Sequence, residues 1–131
     1  MDHGIILGCM NVKPDLYFYD DSLINVKRAA GAHKIASFMR SQGWDIEVLD
    51  YWLAFDFLEF KEFIRSRVTD KTVFIGISNT FPLSGSHLQT ANLYIDWIKK
   101  NYDIPVVAGS KNYYVTRDMN VDYHLTGYGE Y

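Results

Sequence analysis

Thr72-Val73-Phe74-Ile75-Gly76-Ile77-Ser78 is apolar at every interior position. A strand that is apolar on both faces must be covered on both faces. That is the condition of a central strand in a parallel sheet rather than of a half-solvated antiparallel one. Moving outward, Gly4-Ile5-Ile6-Leu7-Gly8 and Pro105-Val106-Val107-Ala108-Gly109 are two further short apolar runs, each ended by glycine. Asp45-Ile46-Glu47-Val48-Leu49-Asp50 alternates with period two, and Asp122-Tyr123-His124-Leu125 reads as a fifth strand.

The segments between these runs carry helical spacing. From Arg28 to Gln42, Ala32, Ile35, Ala36 and Met39 recur on one face, and Gly43 supplies a C-terminal stop. Phe57, Phe60, Ile64 and Val68 line one face of a second helix. Ser86 and Gln89 fit a capping box at the start of a third, which carries Leu88, Ala91, Ile95 and Ile98. A short helical piece is expected near Tyr114 to Met119. The stretch from Cys9 to about Asn25, holding Pro14 and Asp20-Asp21, is a long polar loop, and such loops are often functional.

Strands alternating with helices define an α/β protein: a three-layer, doubly wound, flavodoxin-like or Rossmann-like five-stranded parallel sheet with right-handed crossovers. The order 2-1-3-4-5 suits five such units. In that order ligands bind beyond the carboxyl ends of the strands, at the switch point. The rule selects the loops after Gly8, Ser78 and Gly109, and the region of Gly127.

The size, 131 residues, suits one domain spanning 1–131. Hydrophobic residues at 48% and charged residues at 22% are ordinary for a soluble globular chain. A formal net charge of -3 argues against nucleic-acid binding, which needs a basic face. No apolar run is long enough to span a bilayer, and Met1-Asp2-His3-Gly4 does not begin a secretory signal. Cys9 is the only cysteine, so neither an internal disulfide nor a cysteine-held cluster can form, and a reducing cytoplasm is the expected location. Aromatic residues are 16% of the chain, ten of them tyrosine. Either the core is rich in rings or part of the surface expects a partner, a second copy of the chain among the candidates.

Several chemistries of this fold class lack their motifs. Gly8-Cys9-Met10-Asn11-Val12-Lys13 contains no GxGxxG to bring pyrophosphate onto a helix N-terminus, and no Ser/Thr-rich phosphate loop. The third strand ends Ile77-Ser78-Asn79, without the aspartate of a phosphate-accepting receiver domain. His3, His33, His87 and His124 show no paired metal-ligand spacing, so structural or solvated roles are expected and no metal ligand is assigned. Asp20 and Asp21 form a loop pair of the kind that is usually solvated, and Cys9 reads first as a small hydrophobe at a strand end. No nucleophile has an obvious base partner, so no catalytic residue is assigned.

Five pieces, taken in order, resemble the cobalamin-binding domain found at the N-terminus of cobalamin-dependent radical SAM enzymes. Arg28-Ala29-Ala30-Gly31-Ala32-His33-Lys34-Ile35-Ala36 and Arg40 to Tyr51 are similar to its first helix and second strand. Phe74 to Thr80 resembles the third strand with its glycine-any-serine element. Val106-Val107-Ala108-Gly109-Ser110 resembles the fourth, and Asp122 to Glu130 the closing strand with its glycine-any-glycine-glutamate signature. The resemblance implies cobalamin at the carboxyl edge of the sheet. Ser78, Asn79 and Thr80 would line one wall, Gly109, Ser110 and Lys111 the floor, and Gly127, Tyr128 and Gly129 the far rim. Gly8 and Cys9 would close the first strand beneath it, and Tyr17 and Tyr19 would cover part of it. Glycines let backbone approach a broad ligand closely.

Two departures from the family stand out. The loop after Gly8 lacks the cobalt-ligating histidine that cobalamin domains of the mutase and methionine synthase type carry there, an absence that fits the radical SAM branch, and Ser110 stands where the family carries a second glycine. The three cysteines of the radical SAM cluster, CxxxCxxC, are absent as well. The resemblance therefore implies a cobalamin-binding module that works with a radical SAM catalytic domain or a homologous protein and is not catalytic by itself. The alternative is a degenerate domain without cofactor, acting in protein interaction or substrate positioning.

Overall fold

The computed structural model describes residues 1–9, 30–79, 85–110 and 116–126. In chain order these form β1 (His3–Cys9), α1 (Ala30–Ser41), β2 (Asp45–Asp50), a single 3₁₀ turn (Trp52–Ala54), α2 (Phe57–Arg67), β3 (Thr72–Asn79), α3 (Gly85–Asn101), β4 (Val106–Ser110) and β5 (Tyr123–Thr126). The strands make one sheet of order β2-β1-β3-β4-β5, and every pairing is parallel. This is the flavodoxin-like α/β fold expected from the alternation of strands and helices.

Strand alternation divides the core into two layers. Ile5, Leu7, Ile75, Ile77, Val106 and Ala108 face α2 and α3 and pack on Phe60, Ile64, Ala91, Ile95 and Ile98. Ile6, Ile46, Val48 and Phe74 face the other way and pack on Ala32, Ile35, Ala36 and Met39 of α1. β3 supplies residues to both layers, as its unbroken apolar run requires. Part of the aromatic excess packs inside the first layer. Trp52, Phe57, Phe60, Tyr94, Trp97 and Tyr102 form a continuous ring cluster with centroids 4.6–6.5 Å apart.

On the second layer Phe74 fills the space that two glycines leave. A β-carbon on Gly4 would stand 2.3 Å from Phe74 Cε1, and one on Gly76 would stand 3.2 Å from Cε2. Trp44 meets the same ring edge-on at 5.9 Å.

Two local expectations differ from the structure. Ser86 stands inside the first turn of α3, because Gly85, with φ of 56°, opens that helix one residue earlier. A capping box does occur in the chain, at α2, where Asp56 and Glu59 exchange side-chain-to-backbone hydrogen bonds of 2.8 and 3.1 Å. The described part of the helical piece expected near Tyr114 to Met119 is a turn instead, with Met119 N–H donating to Thr116 O at 3.0 Å. Tertiary contacts hold it in that form. The Asn92 side chain donates to Asp118 O and accepts from Asn120 N–H, Lys99 donates to Asn120 O, and Met119 is buried.

Candidate functional site at the carboxyl edge

Parallel pairing brings the strand ends into rows. Asp50 of β2 pairs with Gly8 of β1, Gly8 with Ser78 of β3, Ser78 with Gly109 of β4, and Gly109 with Leu125 of β5. These five residues form one transverse row, and all five side-chain positions lie on the face that carries α1. Three neighbouring places in the row, Gly8, Ser78 and Gly109, hold two glycines and a serine, so the middle of the sheet ends in a strip with almost no side chains. Among the described residues, a β-carbon on Gly109 would meet nothing nearer than Leu125 O at 3.9 Å. One step further along the strands, Cys9 pairs with Asn79 and Ser110 with Thr126.

The structure thus brings together Gly8, Cys9, Ser78, Asn79, Gly109 and Ser110 along one edge. For Cys9 and Asn79 the strand backbone is what is described. Tyr17, Tyr19, Thr80, Lys111, Gly127, Tyr128 and Gly129, together with Asp20 and Asp21, lie outside the described residues.

Three features of this edge were not singled out from sequence. The first is a hydrogen bond between the first turn of α1 and the end of β2, where His33 Nε2 and Asp50 Oδ2 are 2.8 Å apart. The second is Tyr51, the one described non-glycine residue with positive φ (57°), whose N–H donates to Gly8 O at 2.8 Å and so satisfies a carbonyl at the end of β1. The third is Trp52, which is fully buried while its indole N–H has no hydrogen-bond partner among the described residues. A βαβ unit places the start of its helix beside the carboxyl end of the next strand, so His33 and Asp50 could have been matched from their positions in α1 and β2. Nothing in the sequence marks the lone indole donor.

The β4–β5 part of the same face is differently made. Val107 pairs with Tyr123 and Gly109 with Leu125, and Tyr123 and Leu125 are 61% and 57% exposed, because α1 packs on β2, β1 and β3.

The opposite, amino edge is closed by a polar network. His3 is 5% exposed and begins β1, at the far end of the sheet from the strip. Its Nε2 meets Glu47 Oε2 at 2.8 Å, its Nδ1 meets Thr72 Oγ1 at 2.6 Å, and Arg67 donates to Glu47 at 3.1 Å. A depression of about 470 Å³ opens beside it, lined by His3, Glu47, Arg67, Thr69 and Lys71. Glu47 ties His3 to Arg67 there, so β1, β2, β3 and α2 are joined where their ends meet. His124 Nδ1 lies 3.1 Å from the buried Thr116 hydroxyl. Both histidines thus hydrogen-bond side chains of neighbouring segments.

Tyr94 on α3 donates to Phe55 O at 2.7 Å. Burial, followed by the negative charges of Asp56 and Glu59, pushes its hydroxyl above the ordinary tyrosine range. Among the described residues no group of three or more His, Cys, Asp or Glu is placed to hold a metal ion. No helix among them is long and apolar enough to cross a membrane.

No protein-family model matches this sequence, and no curated protein matches it. A solved structure shares the fold. It is the 1.5 Å crystal structure of a cobalamin-binding protein from Desulfitobacterium hafniense DCB-2. The match has a TM-score of 0.60 and covers 98% of this chain at 12% sequence identity. It covers 54% of the other chain, so the present chain spans about half the length of that protein. At this identity the likeness is one of fold.

Proposed function

We propose that this chain is the cobalamin-binding module of a radical SAM-type system, holding the cofactor at the carboxyl edge of the sheet. The observation that carries the reading is the strip Gly8–Ser78–Gly109, in register on three adjacent strands. A broad, rigid ligand needs a flat bed of backbone wider than one strand, and neighbouring strands lie about 4.8 Å apart. Three consecutive positions without a large side chain supply such a bed. The space above Gly109 fits the group, because among the described residues the atom nearest to its absent β-carbon is a backbone oxygen at 3.9 Å. The sequence resemblance and the fold shared with a cobalamin-binding protein lead to the same ligand.

Cobalamin, when bound, supplies a cobalt centre for methyl transfer or radical chemistry carried out by another domain. The residues of this chain bind and orient it. Ser78 offers a hydroxyl at the centre of the strip, with Asn79 and Thr80 continuing that wall. Gly109, Ser110 and Lys111 form the floor, Gly127, Tyr128 and Gly129 the rim, and Tyr17 and Tyr19 come from the segment that follows Gly8 and Cys9. The partner is a radical SAM catalytic domain or a homologous protein, and the complex acts in the cytoplasm.

The test is to mix the purified protein with hydroxocobalamin, separate free ligand on a sizing column, and record the visible spectrum of the protein peak. A stoichiometric corrinoid spectrum is expected. A colourless peak from folded protein would sink this reading and favour the second one, a degenerate domain serving protein interaction or substrate positioning. Two observations favour that alternative: Ser110 in place of a second glycine, and the apolar Tyr123 and Leu125 exposed beside the strip.

A further inference from the structure

We draw no further inference here: the strongest candidate, the apolar β4–β5 part of the sheet face beside α1, on which Tyr123 and Leu125 stand exposed, carries none, because nothing in the structure shows what covers it.

Discussion

Replacing Gly109 with valine separates a ligand-binding surface from a packed interior. Gly109 lies within β4, has no positive φ, and would place a β-carbon 3.9 Å from Leu125 O, an ordinary van der Waals distance. The substitution therefore meets no clash among the described residues. It replaces a residue that weakens strand interiors by one that favours them, on a propensity scale spanning about 1 kcal/mol. The expected change in stability is within about 1 kcal/mol of zero, in either direction. Gly4→Val provides the contrast, since its β-carbon would stand 2.3 Å from a ring carbon of Phe74, which is itself wedged against Trp44. Overpacking of that kind costs about 1–3 kcal/mol.

Urea unfolding followed by tryptophan fluorescence, with hydroxocobalamin titration of each folded variant, reads both effects. If the strip is the floor of a site, Gly109→Val keeps its unfolding midpoint and loses at least about tenfold in affinity, or roughly 1.4 kcal/mol. Unchanged affinity would refute the floor assignment. A fall in stability as large as that of Gly4→Val would refute the claim that the space above Gly109 is open.

Further outcomes follow from single residues. Trp52→Phe removes a buried donor that is unsatisfied among the described residues; the relief of about 1–3 kcal/mol offsets the smaller ring, so stability should shift by less than about 1 kcal/mol, while Trp52→Ala should lose about 3–5 kcal/mol, both read from urea midpoints. Tyr94 holds its proton more tightly folded than unfolded, so its contribution is complete below about pH 10 and is lost as pH rises through its higher folded value. Tyr94→Phe should accordingly cost about 1 kcal/mol at pH 8 and show a shallower alkaline loss of stability than wild type. His3→Ala strands the buried Thr72 hydroxyl and one oxygen of Glu47, and should lower stability by about 2 kcal/mol or more in calorimetry without altering ligand binding at the far edge. Asn92→Ala removes two of the hydrogen bonds that shape the Thr116–Asn120 turn and should cost about 1–2 kcal/mol, with faster amide exchange at Asn120.

The strands, the placing of helices between them and the division of the core into two layers were legible in the sequence. They depend on periodicity, and periodicity is a local property: Val73 to Ile77 can only be central because both of its faces are apolar, and Ile5, Leu7, Ile75 and Ile77 occupy the layer that alternation assigns them. Gly8, Ser78 and Gly109 were legible for the same reason, as small residues at the ends of such runs.

Contacts between distant segments were not legible in this way. Asn92 turns an expected helix into a turn, Phe74 fills the gap over Gly4 and Gly76, and His33 reaches Asp50 across seventeen positions. The register that aligns Asp50, Gly8, Ser78, Gly109 and Leu125 in one row is likewise a property of the assembled sheet. Each strand's pattern states which face a residue takes, whereas only pairing states which residue stands beside it. The sequence therefore named the edge and the small residues along it. The tertiary structure decided which of them became neighbours, and brought a histidine with its carboxylate to that edge.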